Sequence, residues 1–323
     1  MRSRGISQAA LTLWAFVCCH ALAQPYPSKP IRLIQNGSVG AVSDIVMRAA
    51  SQELSAQMGG PWVVENHPGG NFVIGTNACK RSAPDGYTVC LVNMAAMSLN
   101  PHALSNLPYD PDKDFKPITN LFSQVIGIVA NANLRANTVG ELQALAAAKP
   151  GALNFATLGP GSSADMLRQW LSDSWKAEIV GVPYKGMNLI VNAVLSGESD
   201  VTWTAMGNID GHVKLGKVKV LAVNTAKRTP RMPQVPTLGE VGLGDFHGLV
   251  WWGLVAPAGM SDTIVRRLNA EVTRLFKEPK FAEFLDRQFL VTEIGTPEEF
   301  AAFLKTDRQR VGNMVKRLNL PRQ

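Results

Sequence analysis

The sequence predicts an α/β protein built from two similar blocks, and three observations support this fold class. Short apolar runs of strand type alternate with helical patterns, which favours a mostly parallel sheet. A strand, a loop rich in glycine and serine and a helix occur in this order twice, near the start of the chain and again near its middle. The chain has 323 residues, 46% of them hydrophobic, which is long enough for two domains.

The first block opens with an apolar strand, a Gly/Ser loop and a helix. Apolar residues recur at helical spacing on one face between Ile45 and Met58. Two further strands enclose a second helix. The predicted elements are strand 31–35, loop 36–41, a helix from residue 45, strand 62–65, helix 72–81 and strand 87–92.

The second block repeats the pattern and continues with more strands. Its apolar helix face includes Met166, Leu167 and Trp170. A proline-bearing stretch, 228–236, is predicted to be a surface loop. The predicted elements of this block are strand 154–157, loop 158–161, a helix opened by 162–165, strand 178–182, helix 188–195, and strands 200–204 and 219–223. The proline-bearing loop leads on to a long apolar strand, 249–255.

The last part of the chain carries clear helix-start signals. Ser261 is a predicted N-cap, and Thr296, Pro297 and Glu299 supply an N-cap, a first-position proline and a capping-box acid. The second of these helices has an apolar stripe that we expect to pack into the core, with a groove for a partner as the alternative. The stripe comprises Phe300, Phe303, Leu304, Val311, Met314, Val315 and Leu318.

The amino terminus has the three parts of a secretory signal peptide. Arg2 and Arg4 precede an apolar stretch over 9–19, and Ala21-Leu22-Ala23 follows as a small-residue cleavage site. We predict a signal peptide over 1–23, cleavage after Ala23 and an exported, periplasmic protein; a retained anchor is the alternative. The apolar stretch is too short to span a bilayer.

Two cysteines follow the predicted signal peptide, Cys79 and Cys90. In an oxidising compartment a bridge between them would persist, so a disulfide is predicted, with two buried free thiols as the alternative. Zinc is not expected because the five histidines are dispersed. No metal site is predicted.

The charge balance is mildly basic. The chain has 32 Lys and Arg against 25 Asp and Glu, a formal net charge of +7. The basic residues never form a run of five or six, so the charge suits an anionic ligand without indicating a nucleic-acid stripe. Nucleic acid is therefore not an expected partner.

An enzyme is the main competing class of function. The segment Gly159–Ala164 fits the dinucleotide fingerprint, but Glu178 opens the next strand instead of ending it, where a ribose-binding acid is needed. A Ser-His-Asp triad would need Ser38 with His212 or His247, and no spacing supports it. No catalytic residue and no cofactor are predicted.

A binding function needs fewer assumptions. Both Gly/Ser loops lead into helix N-termini, where unpaired backbone N–H groups and about half a positive charge favour a carboxylate. Ser38, Ser43, Ser162 and Ser163 add hydroxyl donors, with simple helix capping as the alternative for each. Two such termini across a cleft would hold a small anion.

An ordered series of motifs resembles Bug-type receptors, the extracytoplasmic solute-binding proteins of tripartite tricarboxylate transporters. The series covers essentially the whole chain after the predicted signal peptide. Its motifs are Tyr26-Pro27-Ser28-Lys29-Pro30-Ile31-Arg32-Leu33, Glu65-Asn66, Pro68-Gly69-Gly70, Ala83-Pro84-Asp85-Gly86-Tyr87-Thr88, Asn100-Pro101, Leu107-Pro108-Tyr109-Asp110-Pro111, Val182-Pro183-Tyr184-Lys185-Gly186, Val235-Pro236-Thr237 and Gly253-Leu254-Val255-Ala256-Pro257-Ala258-Gly259.

The resemblance implies a two-lobed periplasmic-binding-protein fold of type II with the ligand cleft between the lobes. We expect 24–125 and 248–323 in the first lobe and 126–247 in the second. It also implies capture of a small carboxylate (a dicarboxylate, a tricarboxylate, or an aromatic or amino acid) by lobe closure. The receptor would then deliver the ligand to membrane transporter subunits, with a sensor protein as another partner. We expect the receptor to be a monomer. A secreted hydrolase or other enzyme on a similar two-lobed α/β fold is the alternative.

Together with the two loops, the resemblance predicts a set of ligand-binding residues. Two of these residues have a structural role as the alternative to ligand contact: Asp44 as an acid in the first turn of a helix, and Lys185 as a solvent-exposed loop residue. Thr204 stands where many relatives have an acid, and Met94 near Trp203 suggests a ligand with an apolar tail. The predicted set is Gly37, Ser38, Gly40, Ala41, Ser43, Asp44, Asn93, Met94, Ala95, Thr157, Gly161, Ser162, Ser163, Lys185, Thr204 and Ala205.

Overall fold

The structure, a computed structural model, describes residues 26–160, 162–246, 248, 250–320 and 322. The predicted signal peptide over 1–23 and Gly161 lie outside these residues. Within the described ranges, no helix combines the length and the apolar character that a membrane crossing requires.

Eleven strands and ten α-helices make up the described fold. The strands are β1 Ile31–Gln35, β2 Trp62–Asn66, β3 Thr88–Asn93, β4 Phe115–Gln124, β5 Ile126–Asn131, β6 Leu153–Thr157, β7 Ile179–Pro183, β8 Val201–Ala205, β9 Val218–Val223, β10 Trp251–Pro257 and β11 Leu290–Thr292. The helices are α1 Val42–Met58, α2 Val73–Lys80, α3 Asn100–Ala103, α4 Val139–Ala148, α5 Ser163–Trp175, α6 Met187–Ser196, α7 Asp210–Lys214, α8 Asp262–Lys277, α9 Pro279–Arg287 and α10 Pro297–Arg317. A π-helical turn, Ala95–Leu99, precedes α3, and a 3₁₀ turn, Met206–Asn208, precedes α7.

The strands form two sheets. The first has the order β11-β4-β10-β3-β1-β2 and the second the order β7-β6-β8-β5-β9. In the first sheet, α1 and α8 pack on one face and α2 and α10 on the other, each through buried apolar residues. In the second, α4 and α5 cover one face and α6 the other. The first sheet with α1–α3 and α8–α10 is called the first lobe here, and the second sheet with α4–α7 the second lobe.

The expectation of a mostly parallel sheet is wrong, because each sheet is mixed. β1 pairs in parallel with β2 and β3, and β6 with β7 and β8. β10 and β11 in the first sheet, and β5 in the second, form antiparallel pairs. The parallel strands belong to strand–helix–strand units, whereas β4 and β5 are consecutive and run straight from one sheet into the other.

The chain crosses between the lobes beside Asn224. Val125 links β4 to β5, and the return passes Gly248 and Val250 on the way to β10. Asn224 Oδ1 accepts a hydrogen bond from the backbone N–H of Ile126 at 2.8 Å. Asn224 Nδ2 donates to the backbone carbonyls of Gln124 and Gly248, each at 3.0 Å. One buried side chain therefore joins both crossings.

The long helix α10 contacts both lobes. Phe300 and Leu304 pack in a core of the first lobe, whereas Met314 packs in the core of the second. Near its end, Arg317 donates to Asp173 Oδ2 at 3.1 Å and Ser174 Oγ at 2.9 Å. The predicted capping box at its start is present, with Thr296 and Glu299 bonding reciprocally.

Cys79 at the end of α2 and Cys90 in β3 form a disulfide, with their Cα atoms 6.0 Å apart. Both residues are buried. The bridge ties α2 to the sheet of the first lobe, and no disulfide is present in the described residues of the second lobe.

Candidate ligand-binding cleft

The predicted ligand loops lie where parallel strands of both sheets end. Gln35 is in register with Asn66, and Asn93 lies opposite Trp252 at the start of β10. In the second sheet, Thr157 is in register with Pro183, and Ala205 lies opposite Ile126 at the start of β5. Because Val125 joins β4 directly to β5, these two edges adjoin. Ligands of open α/β sheets bind outside such carboxyl ends.

Asp44 is the centre of the first loop. Its carboxylate is buried and accepts hydrogen bonds from Gln35 Nε2, Asn66 Nδ2 at 3.0 Å and the backbone N–H of Gly40 at 2.9 Å. Arg48 Nε lies 3.0 Å from Oδ1 and completes an ion pair. These donors come from β1, β2, the loop and α1, so Asp44 holds the loop in place through contacts within its own lobe.

The environment sets the charge of Asp44. Burial acts to raise the pKa of this carboxyl, but hydrogen bonds from Arg48, Gly40 and Asn66 outweigh it and hold the pKa below its ordinary value. Asp44 is therefore ionised at neutral pH. Its negative charge partly offsets the positive potential at the N-terminus of α1, but its carboxylate accepts no hydrogen bond from the first backbone N–H groups of the helix.

The N-terminus of α1 has no side-chain cap. Ala41 occupies the N-cap position with extended backbone, and its methyl group accepts no hydrogen bond. In the described residues, no acceptor is found for the backbone N–H groups of Val42, Ser43 or Asp44. Gly40 has a φ of 78°, which glycine adopts without strain. The first lobe thus presents unpaired donors at a helix N-terminus.

The N-terminus of α5 is capped by the chain itself. Ser162 Oγ accepts from the backbone N–H of Asp165 at 3.3 Å and donates to the carbonyl of Gly159 at 2.8 Å. Thr157 Oγ1 accepts from the N–H of Gly159 at 3.1 Å. Asp165 pairs with Arg168 at 2.9 Å. Ser162 and Thr157 therefore shape the second loop, while Ser163 is exposed.

The residues after β3 have mainly local partners. Asn93 Oδ1 accepts from the backbone N–H of Ala96 at 3.0 Å and starts the π-helical turn. Met94 and Ala95 are half-buried. Asn93 therefore stabilises the turn that positions its neighbours.

The suggested pairing of Met94 with Trp203 is wrong. Trp203 is 2% exposed and packs edge-on against Phe246 in the core of the second lobe. Thr204 is also buried and accepts from Asn208 Nδ2 at 3.1 Å. Because side chains alternate along β8, Trp203 cannot share the face of its neighbour Thr204.

The remaining predicted residues differ in exposure. Ser38, Gly40 and Lys185 are exposed, and Lys185 forms no ion pair within the described ranges. Gly37 and Ser43 are buried and close together: a Cβ on Gly37 would lie 3.0 Å from Ser43 Oγ. Ala205 is half-buried at the end of β8.

Sequence reasoning missed two amides at the end of β1. Gln35 and Asn36 are buried, and no donor within the described residues reaches Gln35 Oε1 or Asn36 Oδ1. The available signal was a pair of amides closing an apolar strand, since buried amides need partners. They add two acceptors beside the first loop.

A buried acid behind the site was also missed. Asp307 on α10 accepts hydrogen bonds from Ser98 Oγ and, at 3.0 Å, from Trp251 Nε1. Ser98 belongs to the turn after β3, and Trp251 starts β10 at the crossing. This network links a ligand loop to the inter-lobe connection.

Metal binding and cavity formation both bear on the chemistry of the site. In the described ranges, no group of three or more His, Cys, Asp or Glu side chains could hold a metal ion. A cavity of about 500 Å³ lies beside the crossing, lined by residues such as Ser123, Asn224 and Phe289. None of the predicted ligand residues line it, so loop geometry and not this cavity defines the candidate site.

Comparisons with known proteins agree with this architecture. The family model described as tripartite tricarboxylate transporter family receptor matches residues 46–320. Protein BugT of Bordetella pertussis is 29% identical over 295 residues, which cover 91% of this chain and 90% of that protein.

Two solved structures are also similar over most of the chain. The periplasmic binding protein BugD has a TM-score of 0.73 at 26% identity, covering 92% of this chain and 100% of that chain. MatC from Rhodopseudomonas palustris, solved with bound malate, has a TM-score of 0.70 at 25% identity, covering 90% and 100% respectively.

Proposed function

The chain belongs to the tripartite tricarboxylate transporter family of receptors, and from this premise we propose that it captures a small carboxylate between its two lobes. A solute-binding receptor needs donors for the ligand and no catalytic group. MatC, a structural neighbour, is described with bound malate, which supports a carboxylate as the ligand class.

The uncapped N-terminus of α1 carries the proposal. Val42, Ser43 and Asp44 offer backbone N–H groups without an acceptor among the described residues. Such groups donate hydrogen bonds to an anion, and the interaction of one negative charge with the helix dipole is worth about 0.3–1 kcal/mol at an exposed site. Ser38 and Lys185, both exposed, are the proposed further contacts. The rest of the predicted ligand-binding set is proposed to line the site or, as with Ser162, to shape its loops.

Lobe closure is the proposed mechanism. We place 24–125 and 248–323 in one moving body and 126–247 in the other, with the crossings beside Asn224 as the hinge. A ligand that contacts both lobes favours the closed form by its differential affinity. Scattering with and without ligand tests this, and an unchanged radius of gyration would contradict closure.

The proposed setting follows from the family. Its members are solute-binding receptors of tripartite transporters, so we propose export by the signal peptide over 1–23, a monomeric state and delivery to membrane transporter subunits. We further propose that the chain is not an enzyme and binds neither cofactor nor nucleic acid.

A ligand-panel melting experiment tests the function. On protein refolded free of carried-over ligand, a cognate carboxylate at 100 times its Kd should stabilise the fold by about 2.7 kcal/mol and remain chemically unchanged. Conversion of the compound, or no response to any carboxylate, would contradict the proposal.

A substitution at the N-cap of α1 tests the site. Ala41→Asp should supply an internal acceptor to the free N–H groups, so the unliganded protein should gain about 1 kcal/mol while carboxylate affinity falls at least tenfold. Thr138→Ala is the matched control, because it removes the N-cap of α4 and should lower stability without changing affinity. Undiminished affinity in Ala41→Asp would remove α1 from the site.

A further inference from the structure

A short segment of the first lobe reaches into the second lobe beside the crossings. Phe289, between α9 and β11, is buried and packs in an apolar cluster of the second lobe that includes Met232 and Val235. Its backbone carbonyl accepts a hydrogen bond from the N–H of Val125, the residue that links β4 to β5, at 2.9 Å. The two lobes are therefore joined here by a side chain as well as by the crossings themselves.

Phe289 has an uncommon backbone conformation. Its φ of 56° lies in the left-handed region, which bulky residues rarely adopt. Such a conformation persists where the surrounding contacts hold it, and it is concentrated at positions with a functional role. The burial of the ring and the hydrogen bond from Val125 are the contacts that hold it here.

Arg231 of the second lobe, in the loop after β9, contacts the same segment of the first lobe. Its Cζ lies 4.2 Å from the centre of the Phe289 ring. Its Nη1 donates to the backbone carbonyl of Asp286 at 3.4 Å and lies 3.9 Å from the carboxylate of that residue. Asp210 on α7 lies 3.5 Å from Arg231 Nη2 and holds the guanidinium within its own lobe. We call Arg231, Asp286 and Phe289 the inter-lobe clasp.

The orders of the two sheets place the inter-lobe clasp on the side of the crossings away from the candidate cleft. β4 has β11 on one side and β10, β3 and β1 on the other, and β5 has β9 on one side and β8, β6 and β7 on the other. The candidate ligand loops follow β1, β3, β6, β7 and β8. The clasp joins the loop after β9 to the segment before β11, so it occupies the opposite side.

Groups on the two sides of a hinge move in opposite directions. When the lobes turn about the crossings so that the cleft narrows, the far side widens, and Arg231 moves away from Asp286. All three clasp residues line the cavity of about 500 Å³ beside the crossing, so the lobes are not closely packed there and few contacts oppose the movement. Ser38 and Lys185, one in each lobe, are exposed in this arrangement, as an open cleft requires.

We infer that the inter-lobe clasp holds the receptor open and thereby sets its affinity without touching the ligand. This inference rests on the proposed lobe closure and adds the residues that oppose it. A ligand that bridges the lobes has to separate Arg231 from Asp286. Loss of the clasp raises the closed population, and the apparent affinity rises by the same factor while the closed form is the minor one.

Distance measurements without any ligand test the inter-lobe clasp. Spin labels on Ser38→Cys and Lys185→Cys, one on each side of the cleft, report its width in the mature protein by pulsed electron paramagnetic resonance. Arg231→Met keeps an apolar stem, removes the guanidinium and should raise the short-distance population at least about threefold. Arg231→Lys keeps the charge and should give a smaller shift in the same direction. Unchanged or longer distances in Arg231→Met would overturn the inference, since a merely structural role would lower the melting temperature alone.

Arg228→Met is the matched control. Arg228 lies in the same loop and lines the same cavity, but it pairs with Glu240 of its own lobe at 3.0 Å, so the distances should equal those of the labelled wild type. A shift as large as that of Arg231→Met would overturn the inference, because it would follow from any charge removed at the cavity. Since no ligand is added, unchanged distances would overturn the clasp alone, whereas a ligand panel without any response contradicts the proposed function.

Discussion

The helices α1 and α5 hold equivalent positions in the two lobes, each after a parallel strand and a loop with a left-handed glycine, Gly40 or Gly159. Both carry a buried aspartate at the third helical position and an arginine about one turn later. They differ at the N-cap, which is Ala41 in α1 and a hydrogen-bonding Ser162 in α5.

The difference at the N-cap sets the stability of a helix terminus against its availability to a ligand. A capped terminus satisfies its own donors and contributes about 1 kcal/mol to the fold. An uncapped one gives up that contribution and keeps its N–H groups for a ligand. The first lobe instead fixes its loop through Asp44, whose donors come from four different segments, so the open terminus remains ordered.

The largest expected effect comes from removing that carboxylate. Asp44→Ala should lower the free energy of unfolding by about 3 kcal/mol, because the buried donor of Gln35 and the half-buried donor of Asn66 lose this acceptor. Chemical denaturation measures the loss.

Asp262→Ala is the control for Asp44→Ala. Asp262 is also a first-turn acid, at the start of α8, but its side chain is 78% exposed and paired with Lys116. Its removal should cost less than about 1 kcal/mol. Equal losses at Asp44 and Asp262 would show that the buried network does not hold the first loop.

Acid should reproduce the effect of the Asp44 substitution. Because hydrogen bonds keep the folded-state pKa of Asp44 below its ordinary value, its contribution to stability is present above the unfolded pKa of about 3.9 and is lost as pH falls through the folded pKa. Melting curves of wild type and Asp44→Asn should converge below about pH 4. A constant difference down to pH 2 would refute this assignment.

A smaller effect is expected at the capped terminus. Ser162→Ala should destabilise the protein by about 1 kcal/mol and change carboxylate affinity by less than about threefold, because the hydroxyl is engaged by Gly159 and Asp165. Melting and titration of the same sample check both values. A tenfold loss of affinity would instead make Ser162 a direct ligand contact and remove the contrast with α1.

The smallest effect is expected where α10 joins the lobes. Arg317→Ala removes exposed contacts to Asp173 and Ser174 and a cation–π contact with Trp170, whose ring centre is 5.2 Å away. The loss should be below about 1 kcal/mol and is measurable by denaturation. A loss above 2 kcal/mol would mean that this end of α10 contributes strongly to the fold.

Local signals predicted much of the fold. The strand over 31–35 has its predicted bounds, and the caps at Ser261 and Thr296 start helices as expected. These features depend on neighbours within one turn or one strand. The local amino-acid sequence therefore contains all the information that these features need.

Long-range features were harder to predict. β4 is not predicted as a strand, since Pro117 and several polar residues interrupt its apolar pattern. β5, a short apolar run, is not predicted either. Trp203 was placed near a ligand although it fills a core, because a buried indole and a binding-site indole look alike in sequence. Asp44 is a candidate ligand residue from the sequence alone. Its four donors lie on separate segments of the chain, so the sequence does not reveal that they occupy its carboxylate.

The sequence by itself determined the alternation of strands and helices, the two Gly/Ser loops before helix N-termini and the positions of the caps. Only the tertiary structure decided that both sheets are mixed, that Asp44 is fully engaged and that Trp203 fills the core of the second lobe. The reason is physical. Backbone propensity and capping act over a few residues, whereas burial and hydrogen-bond partners are set by segments that are distant in the chain and adjacent in space.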